Sequence, residues 1–583
     1  MKNKINNKLL IGLNIVLLGN LILVACKKEF LQIQPTGQLT EEVLSSKKGI
    51  EGLLVGAYSM LGGRGNYFGG ASNWTNGSIQ GGDANKGTNA GDFNDINPIQ
   101  RFETQPTSRV VSDRWGPLYE GISRCNATLR VLAKSEDASL TAADKTRITA
   151  EARFLRGHYY FELKKSYNNV PYVDETLTSD EAIKVPNTSD IWPNIEADFQ
   201  YAFDNLPETQ SAVGRANKWA AAAYLGKAYL FEKKWQQAKT MFDQVISSGK
   251  TSGGAAYGLV DNYAQLFNAE FDNNKESIFA VQAAVNTGSV NNANPDFVLN
   301  FPYNTGPAGP GNCCGFFQPS FELANSFRTD ANGLPLLDGS YNNAGNEVVT
   351  DQGKLSNEAF TPDAGPLDPR IDHSIGRRGI PYLDWGNFPG YDWIRDQAYA
   401  GPYAPKKYIY YKSQEGTLTD GSSWTRGYGA MNYVIIRFAD VLLMSAEVEV
   451  ELNNLARAQE LVNLVRARAA NAASWVKKSD GSNAANYVIG QYTTPWASQD
   501  AARTAVRFER KLELSGEGHR FFDLVRWGVA DATLDAYLAY EGAKLPIALG
   551  GSSFTPNKNE YYPIPQTQID RQGADVLNQN PGY

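Results

Sequence analysis

Apolar residues recur at three- and four-residue steps over 40–61. Leu44, Ile50, Leu53, Leu54, Ala57 and Leu61 fall on one face, which predicts a helix. The same period returns at about 109–134, 141–167, 189–206, 216–231 and 235–248, and again at about 437–470 and 499–527. Residues 62–107 break it: Gly, Asn and Asp dominate, and Tyr67, Phe68, Trp74 and Phe93 stand isolated. A larger break, about 250–435, is rich in Pro and Gly. It gathers Tyr303, Phe316, Phe317, Tyr382, Trp385, Tyr391, Trp393 and Trp424, and only short runs such as 277–281 and 407–411 read as strands. The pattern predicts a mainly α chain. A helical scaffold spans about 40–250 and 437–528, a loop-rich insertion carrying short strands spans about 250–435, and a closing segment covers 529–583.

Inside the scaffold, Leu225-Gly226-x-x-Tyr229 and then Ala238-x-x-x-Phe242 match the spacing of tetratricopeptide helix pairs. Small Gly226 and Ala238 let two antiparallel helices approach, and Tyr229 and Phe242 fill the gap. A weaker copy at 437–466 keeps Ala446 and Ala458 at the same separation, with Asn453-Asn454 at the turn. Degenerate copies are expected around 109–134 and 147–167.

The N-terminus carries an address. Lys2, Lys4 and Lys8 precede an apolar run from Leu9 to Ala25, as in a signal peptide that is removed, leaving 26–583 as the mature chain. The run is short for a membrane span. Leu23-Val24-Ala25-Cys26 resembles the lipobox of bacterial lipoproteins. That resemblance implies acylation of Cys26 with chains such as palmitate and anchoring in a membrane. The charged Lys27-Lys28-Glu29 looks like a signal for export to the cell surface in Bacteroidetes.

Charge and composition narrow the function. With 55 basic and 62 acidic residues the net charge is −7, which argues against a nucleic-acid partner. Three histidines leave little room for chemistry built on several, while 11% aromatics suit a surface that stacks flat ligands. Cys125, Cys313 and Cys314 are odd in number and lack zinc-type spacing, so they read as reduced or incidental. The adjacent pair can form only a vicinal disulfide.

The segment Glu517-Gly518-His519-Arg520-x-x-Asp523-Leu524-x-Arg526-Trp527-Gly528 resembles the RagB/SusD family of outer-membrane nutrient-binding lipoproteins. Phe30-Leu31 with Pro35, Gly37 and Gly56-Ala57-Tyr58 looks like that family's opening. Tyr562-Pro563-Ile564-Pro565-Gln566 and Gln579-Asn580-Pro581-Gly582-Tyr583 look like its closing motif, with Gln568 where an acidic residue is expected. The resemblance implies a SusD-like α scaffold with tetratricopeptide-like pairs. It implies a glycan-binding face, a SusC-like TonB-dependent transporter as partner, and neither catalysis nor cofactor.

Other chemical signals are weak. Glu517, His519 and Asp523 invite a catalytic reading, but no nucleophile accompanies them; a structural network in which Arg520 and Arg526 pair with Glu517 or Asp523 is expected instead. Ser248-Gly249-Lys250-Thr251 lacks the glycine a phosphate loop needs, with Gln244 in its place. Asp83-x-Asn85-x-Gly87 starts like a calcium loop but puts Asn94 at position twelve, and no metal site is assigned. Trp115, Trp192, Trp219, Trp235 and Trp527 lie on helical patterns and are expected in the core. A sugar offers an apolar C–H face to an aromatic ring and hydroxyls to polar side chains. The candidate ligand residues are accordingly Trp74, Asn76, Asp83, Tyr303, Trp385, Trp393 and Trp424, with the 62–107 loop as first choice. A lipid-anchored glycoside hydrolase, with two carboxylates about 5–10 Å apart in a cleft, and a helical-repeat protein-interaction scaffold are the alternatives.

Overall fold

A computed structural model describes residues 44–65 and 67–583. The signal segment, Cys26 and the Phe30 to Gly37 opening lie outside them. Helix α1 (Lys47–Tyr58) starts at Ser46, whose Oγ accepts from the Gly49 amide at 3.1 Å. There follow α2 (Arg109–Lys134), α3 (Ala142–Tyr167), α4 (Trp192–Asn205), α5 (Lys218–Phe231) and α6 (Trp235–Ser248). Each packs on the next, α1 on α2 through to α5 on α6. The chain then leaves the array and returns at α7 (Phe438–Glu451), which packs directly on α6. Helices α8 (Leu455–Ala469) and α9 (Gln499–Glu513) extend it. Helices α10 (Arg520–Trp527) and α11 (Ala530–Lys544) follow. The mainly helical expectation holds, with boundaries within a few residues of the apolar period.

One device recurs between these helices. A Cβ placed at Gly121 would lie 2.6 Å from the Tyr159 ring, at Gly157 2.9 Å from Phe199, and at Gly226 2.6 Å from Phe242. In each pair the glycine of one helix is the seat of an aromatic ring from its neighbour. Ala238, Ala446 and Ala458 are fully buried where the expected close contacts require small residues.

Strand β1 (Ala84–Gly87) lies in the 62–107 segment, and the insertion adds β2 (Ser277–Val281), β3 (Phe316–Pro319), β4 (Ile375–Gly376), β5 (Ala404–Pro405) and, at its end, β6 (Tyr433–Arg437), joined by coil and short helical turns. The antiparallel pairs are β1 with β3, β2 with β6, and β4 with β5. The β2–β6 ribbon is the gateway through which the chain leaves and re-enters the helices. The expected strand at 407–411 is absent. Its backbone is irregular because its side chains dive inward, Lys407 Nζ onto Glu517 Oε1 at 2.7 Å and the Tyr408 ring flat on Phe297 at 4.4 Å.

A buried ionic network rivets insertion to scaffold. Five cations (Arg370, Lys407, Arg437, Arg466, Arg468) meet five carboxylates (Glu276, Asp368, Glu509, Glu513, Glu517). Arg437 alone bonds Glu276 at 2.9 Å, Glu513 at 2.5 Å and Glu517 at 2.8 Å. The charges balance, which is what lets so many ions tolerate burial.

Candidate ligand-binding face

The structure sorts the candidate aromatics sharply. Trp74 is 1% exposed, its ring edge-on to Phe316 and Phe317 at 6.4 and 6.0 Å and its Nε1 donating to the Tyr67 carbonyl at 3.0 Å. Asn76 and Asp83 are buried with it: Asn76 Oδ1 accepts from the Tyr562 hydroxyl at 2.6 Å and Asp83 Oδ2 from the Gly516 amide at 3.0 Å. Residues 68–88 are buried throughout. The expectation of a ligand-facing loop there is corrected. Its glycines let the Glu517-Gly518 turn press against it, with the Gly518 amide on Ser78 Oγ at 2.9 Å, and its Asn and Ser side chains spend their hydrogen bonds inside.

Trp385 and Trp393 are also interior rings, each 7% exposed. Trp385 Nε1 donates to the Tyr410 carbonyl at 3.0 Å, and Trp393 packs edge-on to Tyr382 and Phe388 at 5.8 and 5.6 Å. Trp424 differs. It is 58% exposed, its Nε1 on the Tyr428 hydroxyl at 3.2 Å. Tyr303 is half-buried, with the Arg395 guanidinium 5.0 Å from its ring centre. Of the helical tryptophans, Trp115 and Trp219 are core, whereas Trp192, Trp235 and Trp527 are half-buried.

One strap, residues 303–315, joins the two accessible rings. Tyr303 N bonds the carbonyl of buried Trp393 at 3.0 Å, Gly311 N the Tyr410 hydroxyl at 2.8 Å, and Gly315 N the Phe301 carbonyl at 2.8 Å. On the Trp424 side, Thr425 Oγ1 reaches the Gly311 carbonyl at 3.0 Å and Arg426 the Gly309 carbonyl at 3.1 Å. On the other side Arg395 pairs with Asp92 and donates to Thr88 Oγ1 at 2.9 Å. Tyr67 and Phe93, half-buried and 5.7 Å apart, complete the neighbourhood. Exposed Asn304 and Asn312 stand on the strap itself. Sequence reasoning names Asp92 only as an oxygen near the incomplete calcium-type loop and does not name Asn312, Arg395 or Arg426; the Gly-Pro-rich run 306–315 is the available signal.

Cys313 and Cys314 form a vicinal disulfide on this strap, which corrects the expectation of reduced or incidental thiols. Cys125 is free and buried.

The Glu517 to Trp527 segment is structural in its contacts. Glu517 meets Arg437 and Lys407 rather than the expected arginines. Asp523 pairs with Arg510 at 3.0 Å and Arg526 at 2.8 Å. Burial alone would raise Asp523, but the Arg510 and Arg526 guanidiniums outweigh it and hold the carboxyl at about 2. Arg437 and Lys407 likewise outweigh burial at Glu517 and keep it low. Burial lowers His519 to about 4, so its ring is neutral at pH 7. Carboxylates held by guanidiniums are poor general acids. Among the described residues no His, Cys, Asp and Glu cluster is placed to hold a metal ion. Cavities of about 630 Å³ beside α2 and about 670 Å³ beside Arg328 and Lys544 contain none of the candidate residues.

Residues 275–583 match the model of the SusD family. The chain belongs to the SusD/RagB family. A second model, described as starch-binding associating with outer membrane, matches residues 29–230. A SusD-like protein of Formosa agariphila is 28% identical over 528 residues, covering 86% of this chain and 87% of its own. A laminarin-binding SusD-like protein of known structure is 26% identical with a TM-score of 0.65, covering 92% of this chain and 100% of its own. A SusD homologue from Bacteroides thetaiotaomicron, 25% identical, superposes with a TM-score of 0.66 over 94% and 99% of the two chains. In this SusD-family chain residues 68–88 pack against the 516–521 turn, through Asp83 on the Gly516 amide and Ser78 on the Gly518 amide. Among the described residues no helix is long and apolar enough to cross a membrane.

Proposed function

We propose that this SusD-family protein is a cell-surface glycan-binding lipoprotein, held in the outer membrane by acylated Cys26. It captures oligosaccharide on the strap face and delivers it to a SusC-like TonB-dependent transporter. The observation that carries the reading is one strap that bears half-buried Tyr303 with exposed Asn304 and Asn312, and that is held by Thr425 and Arg426 next to exposed Trp424 on one side and by the Arg395 ring contact on the other. Rings meet the C–H faces of a sugar and the polar rim meets its hydroxyls. The wider family supports a carbohydrate ligand, and the laminarin-binding relative makes a β-glucan the first probe.

A shallow face of this kind binds modestly, at about micromolar to millimolar Kd. Longer chains bind better through repeated contacts. The test is a polysaccharide panel, laminarin first, by affinity electrophoresis and then calorimetry. Binding by the wild type that weakens in Trp424→Ala and Tyr303→Ala supports the reading; binding indifferent to both rejects the face. Loss of membrane retention in Cys26→Ala checks the anchor. Release of reducing ends that vanishes when one Asp or Glu is replaced would make the protein a hydrolase instead.

A further inference from the structure

We propose that the Cys313–Cys314 ring is itself part of the sugar-binding surface, a rigid plate without a free hydrogen-bond donor that lies against the C–H face of a pyranose unit. The inference rests on the glycan reading above and names a contact that aromatic residues alone do not supply.

Position comes first. The backbone bridges Phe301 to Cys314 and Tyr303 to Asn312, so the disulfide sits beside Tyr303 and directly after exposed Asn312. Cys314 is buried, its amide on the Leu299 carbonyl at 3.1 Å, while Cys313 is half-buried and forms the outward half of the ring. Cys313 packs as a partly covered residue against the main apolar cluster. The pair therefore lies on the strap between Gly309, which Arg426 holds, and Gly315, which adjoins Tyr303 and Arg395.

Stapling does not explain it. A disulfide stabilises chiefly by closing a loop in the unfolded chain, and the effect grows with loop length. Adjacent cysteines enclose no loop. The strap is already tied by Thr305 Oγ1 on the Gly309 and Pro310 carbonyls at 3.2 and 3.1 Å, by Thr425, by Arg426 and by the Tyr410 hydroxyl. What the bond adds is a surface. Two cysteine thiols carry S–H donors and turn about their own Cα–Cβ bonds; the closed ring has no S–H, its one N–H is spent on the Leu299 carbonyl, and it has little freedom left to lose on binding. Sulfur is polarisable and only weakly accepting, which suits a C–H face rather than a hydroxyl edge. The hydroxyls fall to Asn304, Asn312, Arg395 and Asp92. The ligand class is a neutral pyranose oligosaccharide.

The test uses detergent-solubilised full-length protein. Mass analysis of the unreduced peptide carrying residues 313 and 314 is expected to show it lighter by two hydrogens and inert to alkylation; two alkylated thiols overturn the proposal. Next, the glycan selected by the panel, starting from laminarin, is titrated into wild type, phosphine-reduced wild type and the Cys313→Ser/Cys314→Ser double variant. Affinity is expected to fall about tenfold in both altered forms, as for loss of a central contact. Melting temperature and far-UV spectrum are expected to hold in the reduced protein, so the result survives even if the double variant folds poorly. A glycan that loses affinity on Trp424→Ala yet binds unchanged after reduction overturns the plate and leaves the glycan reading standing. Failure of every polysaccharide to bind untreated wild type overturns both.

Discussion

Helix array and strap are assembled from the same parts and end differently. In the array, Gly226 seats Phe242, and the ring disappears between helices. In the strap, Gly309 seats Trp393 and Gly311 seats Phe301, and those rings are just as hidden. The array has another helix beyond each ring, whereas the strap has none. The next aromatic outward, Tyr303 or Trp424, has glycine-rich coil behind it and solvent in front. Local composition therefore says little about exposure; what counts is how many layers lie on either side of a ring.

The strongest way to break this comparison is to cut the joint that holds the two regions together. Arg437→Met leaves Glu276, Glu513 and Glu517 facing one another without their shared partner, and chemical denaturation should show a loss of about 3–5 kcal/mol. A loss below about 1 kcal/mol would mean that water reaches the network and the regions are joined by apolar contact alone.

Within the strap region, the inner and outer rings should part company. Trp393→Ala removes a ring among Tyr382, Phe388 and Gly309 and should cost about 3–5 kcal/mol of stability. Trp424→Ala should leave stability within about 0.5 kcal/mol and weaken glycan binding by about 1–2 kcal/mol. Equal melting shifts in the two variants would erase the distinction between layers.

Within the array, Gly226→Leu forces a branched side chain into the Phe242 ring. Overpacking of this kind costs about 1–3 kcal/mol. Thermal melting checks it, and the same variant should leave glycan affinity at the strap unchanged.

The smallest effect concerns pH. Asp523, held at about 2 against an ordinary 3.8, adds stability that is complete above about pH 4 and is lost as pH falls through 2. Glu541 has the opposite sign. Burial pushes it up to about 8, so the folded state binds a proton that the unfolded state has released, and stability declines as pH rises from about 4.5 to 8. Glu541→Gln, which keeps an acceptor for the Glu322 amide now 2.7 Å away, should flatten that decline in melting temperature between pH 5 and 8. An unchanged slope would place the titrating group elsewhere.

These regions were unequally legible in the amino-acid pattern. Helices α2, α4, α6 and α8 could be read from the apolar period because one face of each is covered, whereas α5 and α7 are buried on nearly every side and are legible by their length and apolar content instead. The family motif at 517–528 was legible too, but its partners were not: Glu517 turns to Arg437 and Lys407, supplied by the insertion. Residues 68–88 misled for the same reason. Gly, Asn and Asp describe a surface loop when nothing is known to cover them, yet Ser78 is bonded by Gly518, 440 positions away. Periodicity reports a residue's near neighbours along the chain, and burial of a glycine-rich segment is decided by distant ones. Of the seven candidate ligand residues, Trp424 and Tyr303 keep accessible rings, and the coil that carries them is marked in the sequence only by its composition.

The closing motif has a bearing on timing. Asn580 Nδ2 donates to the Tyr167 carbonyl at 2.8 Å and to the Tyr562 carbonyl at 2.7 Å; Tyr562 N reaches Ser166 and its hydroxyl reaches Asn76. Asn578 N finds Asn187 Oδ1 at 2.9 Å. The seals on the first helices are thus translated roughly four hundred codons after the helices themselves, as the 413-residue separation of Asn580 and Tyr167 records. A nascent chain that has made only α1 to α6 carries open carbonyls and an uncovered Asn76, and cannot lock. The moment at which the amino-terminal half closes is therefore set by the last residues made rather than by the helices themselves.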